Sequence, residues 1–254
     1  MKNIFLLMGL FTSWLGFGQK SESSILKIKH TSDFDFSGDG TSSAWASTEW
    51  TKVPHRAGAK TYETRIKLLY SPTGIYGLFY CEDEIITSTL REDFTDLYNE
   101  DVVEIFFWTD ESKPLYFEYE LSPHNFELPI LVPNSNGNFL GWLPWHYEGD
   151  RKTRHATKIT DNAWTAEFFI PYALLKPLDN VPPVKGTKWR CNFYRIDYDS
   201  GSSEWSLIEP LCQKLSTATL VKLEGADHSF KAAKQNLLPV LATEINLWID
   251  RLIK

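Results

Sequence analysis

Two neighbouring segments have a fully apolar face with the period of a β-strand. In DVVEIFFWTD (residues 101–110) that face carries Val103, Ile105 and Phe107. In PLYFEYELS (114–122), Glu118 and Glu120 share one face and apolar side chains share the other. Successive side chains of a strand point to opposite faces. Each segment therefore predicts a strand with an apolar face that must be buried against a second layer.

The same kind of signal recurs along most of the chain. Two segments predict hairpins, ETRIKLLYSPTGIYGLFYCEDE (63–84) with its turn at 71–74 and HATKITDNAWTAEFFIP (155–171) with its turn at Asp161-Asn162. KWRCNFYRIDYD (188–199) and ATLVKLEG (218–225) predict two further strands. Many short strands separated by turn residues are typical of an antiparallel sandwich or barrel. We therefore expect an all-β domain over residues 19–224.

The C-terminal extension, residues 225–254, has a different period. Leu241, Ile245, Trp248, Ile249 and Leu252 are spaced so that they form one stripe of an amphipathic helix. We expect this helix to pack on the sandwich. A weak homodimer contact through the helix is the alternative.

The first eighteen residues predict a secretory signal peptide. Lys2 precedes an apolar run that is too short for a membrane span, and Gly16 and Gly18 are small residues suited to a cleavage site. No cysteine follows that site, so a lipid anchor there is not expected. We therefore expect a secreted or periplasmic protein, with cleavage near Gly18 and no membrane insertion.

Charge and composition narrow the class of ligand. The net charge of −7 argues against nucleic acid and anionic lipid as partners. Aromatic residues make up 15% of the chain, with ten tryptophans, which favours a protein that faces sugars. Three cysteines, Cys81, Cys191 and Cys212, leave two readings open: a Cys191–Cys212 bridge or three buried thiols.

Five motifs follow one another in an order that resembles a known family. They are DFSGDGTSSAWASTEW, LYSPTGIYGLFYCED, EDVVEIFFWTD, AWTAEFFIPYALL and GTKWRCNFYRIDYD. Together they resemble the family 9 carbohydrate-binding modules and their DOMON-like relatives, over residues 30–224. The resemblance implies an antiparallel β-sandwich that binds glycans, often beside a structural calcium. Asn192 and Arg195 match a strand motif of the family, whereas the segment LCQKLSTATLVKL and the C-terminal helix depart from its pattern.

The segment NSNGNFLGWLPWHYEGD (134–150) concentrates large rings among Asn, Gly and Pro residues. Those residues predict a loop, in which Trp142, Trp145 and Tyr147 have no place in a regular element. Aromatic rings pack on the C–H face of sugars, so the segment is a candidate wall of a sugar site. The alternative is that the rings cover the hydrophobic core.

Basic side chains and histidines suggest the ligand's charge. His55, Arg56, Arg154, Arg190 and Arg195 are local positive groups in an acidic protein. If they meet in space, they predict a site for an anionic sugar, such as a uronic acid or a sulfated sugar. We include these five with the three rings as candidate substrate-binding residues.

An enzyme reading remains open beside the binding reading. A lyase or dehydratase that eliminates water or alcohol across C4–C5 of a uronic acid needs an Arg for the carboxylate, with His or Tyr as base and acid. His124, His146 and Tyr198 are the candidate catalytic residues. A glycosidase needs two opposed carboxylates. Glu104, Glu118, Glu120 and Glu127 are available, but the sequence singles out no pair.

The sequence predicts no cofactor and no transition metal. Its six histidines show no metal-type spacing. A structural calcium, which the resemblance allows, would need clustered oxygens, and EDEI (82–85) and NED (99–101) could provide them. We expect these acids to be solvated turn residues instead.

Overall fold

The computed structural model describes residues 26–135, 138–184, 186–199 and 201–207, with the backbone of 231–232 and 235–236. Its first sheet has six strands, with β5 at the centre. The strands are β1 (Lys29–His30), β2 (Thr51–Lys52), β4 (Thr64–Tyr70), β5 (Gly74–Glu82), β11 (Arg154–Ile159) and β12 (Ala163–Pro171). The order is β1-β4-β5-β12-β11, and β2 also pairs with β4. All these pairings are antiparallel except that of β1 with β4.

The second sheet has eight strands. They are β3 (His55–Ala57), β6 (Val102–Trp108), β7 (Leu115–Leu121), β8 (Glu127–Ser135), β9 (Asn138–Phe139), β10 (Leu143–Pro144), β13 (Arg190–Asp197) and β14 (Ser203–Ser206). The order is β10-β8-β7-β6-β13-β14-β3, with β9 paired to β8. Three short 3-10 helices occur at Ser43–Ser47, Leu97–Asn99 and Gly149–Arg151.

The two sheets bury one hydrophobic core between them. Ile66 and Phe79 of the first sheet pack in the same cluster as Ile105, Phe117 and Tyr119 of the second. All five are almost fully buried, as the strand period requires for one face of each sheet. The antiparallel sandwich, both predicted hairpins and the strand within 188–199 are thereby confirmed.

The N-terminal segment covers the outer face of the first sheet. Buried Glu167 on β12 accepts hydrogen bonds from the Gly38 N–H at 2.6 Å and from the Trp45 indole N–H at 2.6 Å. Gly38 has a φ of +87°, and a Cβ there would lie 2.7 Å from the carbonyl carbon of Ala156. Only glycine fits such a position. This part of the family-like motif therefore builds the framework.

The outer face of the second sheet is only partly covered. Leu97, Val102, Leu128, Ile130 and Val132 form a small apolar cluster there. Residues 84–101, which lie between β5 and β6, supply Leu97 to it. Side chains at the middle of this face belong to β6, β7 and β13.

The prediction of an irregular loop at 134–150 was wrong in part. The segment contains the end of β8 and two short strands, β9 and β10, that extend the sheet edge. Pro144 pairs with Ile130 on the edge strand, where a residue without an N–H is tolerated.

Several predictions fall on residues outside the described part of the chain. They are the signal peptide (1–18), the strand at 218–225, the helical stripe from Leu241 to Leu252 and Cys212. Within the extension 225–254, the described backbone is a pair of strands, β15 (Lys231–Ala232) and β16 (Gln235–Asn236), rather than helix. Cys81 and Cys191 are free thiols. No helix of the described residues is long and apolar enough to cross a membrane.

Candidate functional site

Three glutamates converge at the centre of the outer face of the second sheet. Glu104 on β6 pairs directly with Glu120 on β7, and Phe106 pairs with Glu118. The three carboxylates have oxygens within 4.8 Å of one another. We name as the glutamate face these outward side chains together with those that flank them: Glu104, Glu118, Glu120, Glu204, Phe106, Tyr116, Tyr194 and Tyr198.

Burial makes the three carboxylates unusual. Glu104 is 5% exposed and Glu120 is 1% exposed, while Glu118 is partly exposed. Burial raises the pKa of Glu118 to about 7. Burial, with the neighbouring carboxylates, raises the pKa of both Glu104 and Glu120 well above the ordinary value. Among the described residues no ion pair joins these three glutamates to a lysine or arginine.

Partly exposed rings surround the carboxylates. The Phe106 ring lies 6.2 Å from the Tyr116 ring and 6.5 Å from the Tyr194 ring. The Tyr194 hydroxyl donates a hydrogen bond to Glu204. The Tyr198 hydroxyl donates to the Tyr98 carbonyl at 2.9 Å. The face thus combines flat apolar rings with carboxylate acceptors, the two kinds of group that a sugar needs.

The predicted aromatic wall is divided between two places. Trp142 packs on the apolar cluster beside the glutamate face. Trp145 and Tyr147 instead pack against the main core. The Trp145 indole N–H donates to the Leu174 carbonyl at 3.1 Å, and the Tyr147 hydroxyl bonds to Thr153. For these two rings the structure favours a role in covering the hydrophobic core over contact with a ligand.

The three candidate catalytic residues all adjoin the 84–101 segment but do not meet. His146 is exposed and stacks on Phe94 at 4.2 Å. Burial, helped by the nearby charge of Arg91, lowers the pKa of His124. The third is Tyr198, whose hydroxyl donates a hydrogen bond to the Tyr98 carbonyl at the glutamate face.

Two of the candidate arginines serve the framework. Arg154 lies on the first sheet, where it pairs with Asp35 at 3.0 Å and donates to the Tyr76 hydroxyl. The Arg195 side chain is 0% exposed and pairs with Asp83 and Asp197. Neither guanidinium lies on the glutamate face, and Arg195 has no surface through which it could contact a ligand.

The remaining candidates lie at other edges of the second sheet. Arg190 pairs with Glu111 and lies over the Trp108 ring. His55 packs edge-on against Trp205 at 5.4 Å and lines a cleft of about 420 Å³. Arg56 donates to the Ser206 carbonyl at 3.0 Å. The basic residues therefore do not assemble into one positive pocket.

Two of the acids considered for calcium, Asp83 and Asp101, are buried, whereas Glu84 is exposed. Asp83 is 3% exposed and Asp101 is 0% exposed, so the expectation of solvated turn residues was wrong for both. Asp83 clusters with Asp197 and Asp199. Arg195 and Lys60 already pair with this cluster, with contacts to Asp83 at 3.0 Å and to Asp199 at 3.1 Å. This donor set does not fit a structural calcium.

Sequence reasoning recognised the glutamates as individual acids but not as a group. The strand period in β6 and β7 puts Glu104, Glu118 and Glu120 on the side of each strand opposite to its core-facing residues. Only the register between the two strands brings them together, because a shift by one residue would place the polar side of one strand opposite the apolar side of the other. Glu127, which the sequence could not distinguish from these three, points inward and binds Tyr119 and Thr153.

Solved structures of similar fold include carbohydrate-binding modules. A family 9 module from Caldicellulosiruptor kristjanssonii, solved with cellotriose, matches with a TM-score of 0.52 and 16% identity, over 72% of this chain and 84% of that one. A second structure of such a module from that organism, solved with glucose, matches equally well over 85% of its chain. The fold is that of the family 9 carbohydrate-binding modules.

Two further proteins resemble this chain. A Bacteroides uniformis protein, provisionally described as carbohydrate-binding, matches with a TM-score of 0.59 and 13% identity, over 75% of this chain and 94% of that one. An extracellular protein of Arthroderma benhamiae is 29% identical over 143 residues, which are 52% of this chain and 63% of that protein. The chain thus matches less than two thirds of that relative. No protein-family model matches the chain.

Proposed function

We propose that this is a secreted carbohydrate-binding protein that holds an oligosaccharide on the glutamate face. The observation that carries the proposal is the convergence of Glu104, Glu118 and Glu120 among partly exposed rings. Sugar hydroxyls can donate to the carboxylates while the C–H face of the sugar packs on Phe106 or Tyr116. The predicted signal peptide and the extracellular description of the Arthroderma relative support secretion.

The charge of the face favours a neutral sugar over an anionic one. A uronate or sulfate placed there would meet carboxylates, and like charges repel. The arginines that suggested an anionic ligand are engaged elsewhere, Arg154 with Asp35 and Arg195 with Asp83. Cellotriose, the ligand of the similar Caldicellulosiruptor module, carries no charge. A neutral glucan fragment is therefore the ligand class we favour.

The lyase alternative receives less support from the same geometry. Elimination across C4–C5 of a uronate requires a guanidinium next to the acid and base. Arg195 is enclosed, Arg154 lies on the opposite sheet, and His124 and His146 do not contact one another in the described contacts. Binding without chemical change is the function we favour.

Calorimetric titration of the mature protein with cellotriose and with a uronate trisaccharide tests the proposal. We expect saturable binding of the neutral sugar, and at least tenfold weaker binding of the uronate. Tyr116→Ala should weaken cellotriose binding at least tenfold, because it removes one ring of the face. The matched control is Tyr70→Ala, at an exposed tyrosine of the first sheet, which should bind normally.

Two results would overturn the proposal. One is binding that is equal in the Tyr116→Ala and wild-type proteins, which would place the sugar elsewhere. The other is a change in ligand mass or a new ultraviolet absorbance of an unsaturated uronate, which would establish catalysis in place of binding.

A further inference from the structure

The glutamate cluster contains a buried acceptor for which the described residues supply no donor. Oε2 of Glu120 accepts no hydrogen bond from the described part of the chain, and the whole residue is only 1% exposed. A backbone N–H, that of Tyr98, does interact with the same carboxylate. An unsatisfied carboxylate oxygen in the interior is costly, because burial removes its hydration without replacing it. The orphan oxygen lies within the group formed with Glu104 and Glu118.

Further acidic side chains lie near this cluster. Glu104 is acted on by Glu118 and Glu204, and Glu120 is acted on by Glu104, Glu118 and Asp96. Directly opposed like charges on neighbouring strands are destabilising. The other acidic cluster behaves differently, since Arg195 and Lys60 pair with Asp83 and Asp199. A positive group is therefore missing from the glutamate cluster among the described residues.

Its dimensions suit a hard divalent cation. Calcium is coordinated by carboxylate oxygens at about 2.3–2.6 Å, so two ligands on opposite sides of the ion are about 5 Å apart. One oxygen of each glutamate lies within 4.8 Å of the corresponding oxygens of the other two, a distance that one ion can span. Oxygen-only donors favour calcium, magnesium or manganese over zinc or copper.

We propose that Glu104, Glu118 and Glu120 form a calcium site on the outer face of the second sheet. Glu104 and Glu120 hold the ion from the buried side, and the partly exposed Glu118 closes it toward solvent. Calcium takes six to eight oxygen ligands, so three glutamates leave coordination positions for water or for vicinal sugar hydroxyls. The ion site itself does not depend on the proposed sugar binding, which would use those remaining positions.

Terbium luminescence tests the ion site without any sugar. Tb³⁺ substitutes for Ca²⁺ and is excited through nearby rings, here Tyr116 and Tyr194. Titration of the mature, chelator-treated protein should give saturable emission that Ca²⁺ displaces. Glu120→Gln should weaken Tb³⁺ binding at least tenfold while conserving side-chain volume. Glu148→Gln, at an exposed acid outside the face, should bind as the wild type does.

A second variant distinguishes loss of the ion site from misfolding. Glu118 is partly exposed, so Glu118→Gln should retain the wild-type circular dichroism spectrum and also weaken Tb³⁺ binding. Wild-type binding that persists in both glutamine variants would overturn the proposal. Loss of emission in Asp199→Asn alone would do so too, because it would place the ion at the other acidic cluster.

Sugar titrations separate the two proposals. If cellotriose still binds in the presence of a chelator, the sugar-binding proposal stands and the ion takes no part in sugar binding. Tb³⁺ binding without cellotriose binding would sustain the ion site and overturn the sugar function.

Discussion

Glu104 and Glu120 face each other across an antiparallel pair of central strands, both almost fully buried. Such a pair opposes folding unless the carboxylates hold a proton or bind a ligand. A sandwich built for stability alone would place apolar side chains at these two positions. The destabilising interaction is therefore concentrated at one place, the outer face of the second sheet, as is common for functional sites.

The first prediction concerns pH. Because folding raises the pKa of Glu118 to about 7, the folded state holds a proton there that the unfolded state releases above about pH 4.5. The unfolded state then binds fewer protons, so the free energy of unfolding falls as the pH rises from about 5 to 8. Glu104, Glu120, Asp83 and Asp101 have raised pKa values as well and act in the same direction.

Thermal unfolding in chelator-containing buffer measures this effect. We expect the wild-type Tm to fall between pH 5 and pH 8, and the Glu118→Gln protein to lose less over that range. For a domain of this size, 1 kcal/mol corresponds to roughly 2–4 °C in Tm. Identical pH profiles for the variant and the wild type would contradict the prediction.

The second prediction concerns the cover of the first sheet. Trp45→Phe removes the indole N–H that donates to buried Glu167. A hydrogen bond to a buried charged group is worth about 1–3 kcal/mol, so the free energy of unfolding should fall by about that amount. Urea denaturation measures it, with Trp108→Phe, whose indole donates to the Lys113 carbonyl near the surface, as the control. Equal losses in the two variants would refute the role of Glu167.

The third prediction concerns the buried ion network. Arg195→Met should lower the free energy of unfolding by about 3–5 kcal/mol, because Asp83 and Asp197 remain buried without their cation. Arg151→Met, at a surface position over the Trp145 ring, should cost far less. Chemical denaturation compares the two. A nearly unchanged Arg195→Met protein would show that the aspartates are neutralised by other means.

The fourth prediction separates two glutamates that look alike in sequence. Glu127 accepts a hydrogen bond from the Tyr119 hydroxyl at 2.7 Å inside the sandwich, whereas Glu118 lies on the glutamate face. Glu127→Gln should destabilise the protein by about 1–3 kcal/mol and leave cellotriose affinity unchanged below the unfolding temperature. Glu118→Gln should weaken binding with little loss of stability. For both variants, calorimetry measures cellotriose affinity and urea denaturation measures stability. Lost affinity in Glu127→Gln together with lost stability in Glu118→Gln would contradict the prediction.

The local residue pattern was sufficient to predict much of the sandwich. Strands β6 and β7 alternate so regularly that their buried faces follow from the residue order. The hairpin of β4 and β5 follows from its Ser-Pro-Thr-Gly turn, because the turn sets the register. Strand β8 was not predicted, since ELPILVPNS carries two prolines that count against a strand.

The candidate site depended on relations between distant residues. Trp142 and Trp145 are three residues apart, yet one packs beside the glutamate face and the other on the core. The basic residues were expected to meet, but Arg154 and Arg195 occupy different layers and are paired with aspartates. The residue order by itself determined which side chains are apolar, which strands form and which acids lie on polar strand faces. Only the tertiary structure decided that Glu104, Glu118 and Glu120 meet, because strand register is fixed by packing between the sheets, which no local pattern contains.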